Sequence, residues 1–325
     1  MQAWFCETLT GPEGLVWKDV PTPAPGPGEV RIAIRAASLN FPDILIVQGK
    51  YQAKPALPFV PGSEFSGLVD ALGEGVTHLK HGDAVAAVGS TGGFATHAIV
   101  NAKQALKLPP GFALEDAAAF ALTYGTTHHA LIDRAALQPG ETVLVLGAAG
   151  GVGTSAIQIA KAAGARVIAA ASTDEKCAFC RELGADATIN YGSANIRDAL
   201  KDLTGGKGPD VVYDPVGGDL AEAVFRSIAW RGRYLVIGFA QGGIPALPWN
   251  LALLKGASIV GVFWGDFVRR EPEASAKGMA HLAQWYAQGK IKPAIDQRLP
   301  MRELPAAYAR MATRKVQGKV LMVNA

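Results

Sequence analysis

Seven residues, Gly147-Ala-Ala-Gly-Gly-Val-Gly153, join an apolar run to an alanine-rich one. Glycines at such a junction let backbone N–H groups approach a phosphate, and the helix start beyond them favours its negative charge. Ala148 takes the first place of a G-x-G-x-x-G spacing, and Gly150 and Gly153 the other two. That spacing marks a dinucleotide site when it follows a strand and opens a helix. Gly147, Ala149, Gly150, Gly151, Val152 and Gly153 would form the cradle; a tight packing turn is the other use of such glycines. About 20 residues on, an NAD site places Asp or Glu for the ribose 2′-OH. Here the strand ends Ala169-Ala-Ala-Ser172-Thr173, the first acid is Asp174, and Lys176 follows. A hydroxyl and an ammonium suit a 2′-phosphate, so NADPH is the expected cofactor. A Ser/Thr helix cap beside an exposed lysine is the structural alternative.

The elements that must carry this loop can be read around it. Residues 142–146 form an apolar strand and 151–163 a helix. Strands at 166–171, 187–190, 210–213, 233–237 and 258–263 alternate with helices at 174–183, 194–203, 220–229 and 250–255. Six strands alternating with helices predict a doubly wound parallel sheet, an α/β fold. Before it, residues 29–35 alternate Val30, Ile32 and Ile34 with Arg31 and Arg35, a half-buried strand. Short glycine-punctuated strands continue to about Lys107, as in an irregular β module, and 117–136 reads as one alanine-rich helix. A polar helical tail after Gly265 ends in an apolar strand, 319–323. That strand must pair somewhere, and it is returned to the first domain.

Length and composition set the outer bounds. At 325 residues, two domains are expected. An apolar fraction of 49% and a charged fraction of 18% exclude wholesale disorder. A net charge of +3 without a basic stripe argues against nucleic acid or an anionic membrane as partner. Three cysteines are too few for a disulfide framework and fit a reducing compartment. Residues 1–7 lack the basic start of a secretory signal. The uncharged stretches 84–102, 142–160 and 234–254 are broken by glycine clusters or prolines, unlike a membrane span. The cytoplasm is the expected location.

Further motifs carry a family resemblance over nearly the whole chain: Pro25-Gly-Pro-Gly-Glu-Val30, Ser38-Leu-Asn-Phe-Pro-Asp43, Pro61-Gly-Ser-Glu-Phe-Ser-Gly67, Asp214-Pro-Val-Gly-Gly218 and Gly261-Val-Phe-Trp-Gly265, with the 147–153 loop. The chain resembles the zinc-free medium-chain dehydrogenases/reductases of the NADPH:quinone oxidoreductase (ζ-crystallin-like) branch. The resemblance implies a GroES-like β domain, residues 1–122 and 266–325, split around a Rossmann domain, residues 123–265. It implies a homodimer joined at the Rossmann sheet edge, here 258–263. Zinc relatives place Cys where Asn40 stands and His where Ser63 stands. Asn and Ser are poor zinc ligands, so no metal is expected. The resemblance places Asn40, Tyr51 and Thr126 near nicotinamide and substrate. It assigns Lys176, Tyr191 and Arg314 to the 2′-phosphate, and Gly238, Phe239, Phe263, Trp264 and Gly265 to the frame of the nicotinamide. Plainer uses stand beside these: Asn40 as a turn residue, Tyr51 as a core ring, Tyr191 as a strand-end aromatic, Arg314 as a solvated charge, and the 238–240 and 263–265 segments as two core strand ends. Leu45 stands where some relatives carry a cleft tyrosine, which weakens any transfer of substrate preference.

Other groupings carry less. Cys177-Ala-Phe-Cys180 has redox spacing but falls inside a predicted helix, away from a helix N-terminus. His78 and His81 flank Lys80 beside Asp83 with no further ligand in view. Adjacent His128 and His129 cannot share one helix face. The leading expectation is zinc-independent hydride transfer from NADPH to a quinone or similar electrophilic carbonyl in the inter-domain cleft. NADPH-dependent reduction of a C=C bond in an enone or enoyl thioester is the alternative, with Tyr51 as its proton donor. A non-catalytic NADPH sensor or RNA-binding protein is the third.

Overall fold

The computed structural model describes residues 1–89 and 91–324. The chain divides into two compact units, Met1–Leu122 with Ile295–Ala325, and Thr123–Ala294. Residues 266–294 therefore lie in the second unit rather than returning with the final strand.

The first unit opens with an antiparallel pair, β1 (Gln2–Cys6) and β2 (Leu15–Asp19). Its main sheet has seven strands: β3 (Glu29–Leu39), β4 (Glu64–Leu72), β5 (Ala84–Val88), β6 (His97–Asn101), β7 (Ala105–Lys107), β14 (Ile295–Pro300) and β15 (Lys319–Val323). The order is β14-β15-β3-β4-β5-β7, with β6 also paired to β3. The alternation read at 29–35 is seen directly, with Val30, Ile32 and Ile34 buried. Helix α1 (Phe41–Val47) follows β3, α2 (Leu114–Ala118) follows β7, and α11 (Leu304–Ala312) precedes β15. The core gathers Trp4, Ile32, Ile34, Leu39, Phe65, Phe94 and Tyr308.

The alanine-rich stretch is not one helix. α2 stops at Ala118, α3 spans Ala121–His128, and a π-helical turn covers His129–Arg134. A continuous helix would have the Leu122 amide donate to the carbonyl four residues back. Instead it donates to Glu64 Oε1 at 2.8 Å. Alanine content favours helix but carries no information about that distant carboxylate.

The second unit is built on six parallel strands: β8 (Thr142–Leu146), β9 (Arg166–Ala171), β10 (Ala187–Asn190), β11 (Val211–Asp214), β12 (Arg233–Val236) and β13 (Ser258–Gly261). Their order is β10-β9-β8-β11-β12-β13. The helices between them are α4 (Gly151–Ala162), α5 (Asp174–Glu182), α6 (Ile196–Leu203), α7 (Leu220–Ser227) and α8 (Asn250–Lys255). α9 (Trp264–Arg270) and α10 (Pro272–Ala287) complete the unit. β8, β9 and β11 are buried on both faces, as parallel strands must be. The last strand stops at Gly261, so Phe263 and Trp264 lie beyond it. Among the described residues no helix is long and apolar enough to cross a membrane.

Candidate active site

In the second unit, the strand order reverses between β8 and β11. Ligands of open parallel sheets bind outside the carboxyl ends of the strands at such a switch. The 147–153 loop leaves β8 at this point. Gly147 turns with φ of +57°, a conformation that favours glycine. Gly150 caps α4 in extended backbone with no side-chain hydrogen bond, so the helix start keeps its first N–H groups open. A Cβ on Gly153 would sit 2.4 Å from the Gly147 carbonyl oxygen and 2.6 Å from that of Ala148. Only glycine lets helix and loop pack so closely. Val152 and Gly151 are half-buried, and Ala149 is buried.

The loop after β11 meets the first. Asp214 Oδ1 accepts from the amides of Val216 and Gly217 at 2.8 and 2.9 Å. Its Oδ2 accepts from the Tyr234 hydroxyl at 2.5 Å. Burial, then the Asp214 charge, pushes that phenol far up, so it stays a donor. Val216 packs on Gly147, and Phe239 packs on Gly217. Thus Gly238 and Phe239, at the end of β12, reach the same sheet edge. Asp214 and Tyr234 are structural partners that the motif Asp214-Pro-Val-Gly-Gly218 did not disclose. Trp264 lies against Gly125, whose Cβ would be 2.7 Å from its ring. That brings Trp264 beside Thr126, which is half-buried. Phe263 is 58% exposed, and Gly265 is exposed. Thr127 Oγ1, Ser155 Oγ and the Tyr213 hydroxyl form a buried network at 2.7 and 2.9 Å that ties α3 to α4 and β11.

Ser172 and Lys176 stand where β9 passes into α5. Thr173 caps the helix by accepting from the Lys176 amide at 3.2 Å, and Lys176 Nζ reaches Ser172 Oγ at 3.4 Å. No carboxylate lies at the end of β9. Asp174 instead accepts from Asn190 Nδ2 at 2.9 Å. Tyr191 follows β10, the neighbouring strand, and is half-buried. Arg314 belongs to the first unit, exposed after α11 with φ of +56°.

In the first unit, Asn40 caps α1 and is 5% exposed. Its amide donates to Asp43 Oδ2 at 2.7 Å. Its Nδ2 lies 3.3 Å from Ser38 O, Ser38 Oγ and Glu64 Oε2, and its Oδ1 accepts from Lys319 Nζ. Burial raises the Asp43 carboxyl to about 6, against the pull of the Asn40 amide, Ser63 and Lys319. Tyr51 is half-buried, and burial, then Asp43, keeps its phenol up. Neither Glu64 nor Lys319 was singled out in the sequence. Their signal is a charged residue at the first position of a strand, with a mostly apolar run behind it.

The remaining groupings have structural uses. Cys177 and Cys180 are free and buried inside α5, and burial raises both thiols, Cys180 to about 12. His78 Nε2 lies 3.0 Å from the Ala102 carbonyl oxygen. His128 pairs with His281 at 3.1 Å, while His129 stacks on Phe267 at 3.8 Å. Among the described residues no group of three or more His, Cys, Asp or Glu could hold a metal ion.

Residues 26–110 match the family model of the alcohol dehydrogenase GroES-like domain, and 151–282 that of zinc-binding dehydrogenase. The chain is 40% identical over 322 residues to mouse quinone oxidoreductase-like protein 2, covering 99% of this chain and 91% of that one. It belongs to the quinone oxidoreductase family of medium-chain dehydrogenases/reductases. It is also 36% identical to a Pseudomonas aeruginosa quinone oxidoreductase, over 96% of each chain. The structure of Escherichia coli quinone oxidoreductase complexed with NADPH superposes with a TM-score of 0.91 at 29% identity, covering all of both chains. The zinc in the name of one family model does not fit this member. Asn40 and Ser63 are weak ligands, and the Lys319 ammonium already lies on Asn40 Oδ1 and near Glu64. A cation there would repel a second one.

Proposed function

We propose that this chain is an NADPH-dependent, zinc-independent oxidoreductase whose acceptor is a quinone or a similar electrophilic carbonyl. The observation that carries the reading is the β8–α4 glycine loop at the sheet's switch point. It lies one strand from a β9 end that offers Ser172 and Lys176 instead of a carboxylate. The loop amides and the α4 N-terminus would hold the pyrophosphate. Ser172, Lys176 and Tyr191 would hold the 2′-phosphate. Gly238, Phe239, Phe263, Trp264 and Gly265 would frame the nicotinamide, with Thr126 facing it. When bound, the nicotinamide supplies the hydride. The protein's part is to align donor and acceptor and exclude water. Asn40 and Tyr51 would line the acceptor. A quinone takes its protons on oxygen, where solvent can deliver them, so no dedicated acid is required.

Tyr51 supports a second reading. Burial keeps its phenol protonated, the state a donor to carbon needs, as in reduction of an enone or enoyl thioester. The acceptor class is decided by steady-state NADPH oxidation with benzoquinone, phenanthrenequinone, an enone and an enoyl-CoA. Quinone turnover above the no-enzyme rate, retained in Tyr51→Phe, supports the first reading. Enone turnover lost in Tyr51→Phe supports the second, and no turnover with any acceptor removes both.

We also propose a homodimer through β13. This edge strand is largely exposed, with Ile259 at 48%, and in and just before α8, which precedes it in the chain, Trp249, Leu253 and Leu254 are exposed at 89, 77 and 64%. An apolar sheet edge of this kind invites pairing with a second copy. Three free, buried cysteines suit a reducing compartment, and we place the protein in the cytoplasm.

A further inference from the structure

Lys319, the first residue of β15, is 3% exposed, and lysine is almost never buried without a partner. Strand register explains its company. Val320 pairs with Leu39 and Ser38 pairs with Glu64, so β15, β3 and β4 bring Lys319, Asn40, Ser38 and Glu64 to one place. The ammonium donates to Asn40 Oδ1 and, at 3.4 Å, to Glu64 Oε2. Glu64 is fully buried; its Oε2 accepts from Ser38 Oγ at 2.7 Å and its Oε1 from the Leu122 amide at 2.8 Å.

These partners settle which way the Asn40 carboxamide faces. An ammonium has only donors, so the amide oxygen must meet it; a carboxylate has only acceptors, so the NH2 must meet Glu64. The two ends are not held equally. Every contact of Nδ2 is 3.3 Å, outside the usual 2.7–3.2 Å of an N–H···O bond, whereas the oxygen is bound by a charged donor. We infer that Lys319 is a positioning residue of the acceptor site: by holding Asn40 Oδ1, opposite Ser38 and Glu64 on Nδ2, it fixes the orientation of the carboxamide. The inference rests on the proposed placement of Asn40 at the acceptor.

The test compares wild type, Asn40→Ala, Lys319→Met and the double variant Lys319→Met/Glu64→Gln. The double variant is needed because Lys319→Met alone leaves the Glu64 carboxylate buried and unpaired, which can unfold the chain. Benzoquinone kcat and KM, NADPH KM, the melting temperature and the Asn40 side-chain 1H–15N signals would be measured for each. In the double variant, kcat should fall by about tenfold or more, the scale of one lost hydrogen bond to a charged group, with NADPH KM unchanged. The Asn40 amide signals should shift and broaden. A folded double variant with wild-type kcat and unmoved amide signals overturns the inference and leaves Lys319 a packing residue. Asn40→Ala with undiminished quinone turnover also overturns it, by removing the reading beneath it. Loss in Asn40→Ala with none in the double variant overturns the role of Lys319 alone.

Discussion

The proposed cofactor region and the proposed acceptor region are made of different material. The first is backbone: glycines of the second unit that a Cβ would crowd, as at Gly153, and a helix start left open at Gly150. The second is buried side chains of the first unit, drawn from residues 38–43, 64 and 319 and joined only by strand register. A backbone site depends on conformation, tolerates few residue types at its tight points, and is local in the chain. A side-chain cluster depends on long-range pairing, and each member taken alone is an ordinary residue. The loop should therefore break under a single methyl group, while the cluster should fail through charge.

Gly153→Ala is the strongest test of that contrast. Its methyl group would meet two backbone carbonyl oxygens that cannot turn aside, costing about 3 kcal/mol. NADPH affinity, measured by fluorescence titration, should drop on the order of 100-fold. Wild-type affinity in this variant would show that the loop is not the cradle.

Asp43→Asn asks whether the acceptor region is governed by buried charge. The carboxyl is raised to about 6 by burial, above its unfolded value of about 3.9. The native state thus binds the proton more tightly. The stability this gives is fully present below pH ~4 and is lost as pH rises through ~6. Asparagine keeps an acceptor for the Asn40 amide and has no charge to bury. Between pH 4 and 7 the variant should therefore gain on wild type by on the order of 3 kcal/mol in urea unfolding. Parallel profiles would mean that the carboxyl titrates normally.

Lys176→Ala probes the charged side chain that the cofactor region offers where β9 passes into α5. Loss of a charge-assisted bond is worth about 1.5 kcal/mol or more, so NADPH binding should weaken ~10-fold. NADH binding should hold steady, and equal losses for both nucleotides would place the lysine elsewhere. Ile259→Lys on β13 should have the smallest effect on turnover. It should convert a dimer to a monomer in sedimentation, and an unchanged mass would remove β13 as the interface.

The same contrast accounts for what could be read in advance. Strands at 142–146, 166–171, 187–190 and 319–323 were legible to the residue, because each is a short apolar run closed by glycine, polar or charged residues. The 147–153 loop was legible because close backbone approach demands glycine in sequence. The break between α2 and α3 was not, since it depends on Glu64 capturing the Leu122 amide. Nor was the division at Ala294, because helices 266–294 are polar on the outside whichever unit they join. Asn40 was found through resemblance, but its partner Lys319 was not. A lysine opening an apolar strand looks like a solvated end until β15 is seen beside β3.

We propose that NADPH, held at this loop, drives reduction of a quinone. This is tested most directly by measuring kcat/KM for NADPH and for NADH with saturating phenanthrenequinone, in wild type and in Lys176→Ala. The account predicts quinone-dependent oxidation with a preference for NADPH of about tenfold or more in wild type, largely lost in the variant. Oxidation of neither nucleotide above the no-enzyme rate, or a preference for NADH, would contradict it.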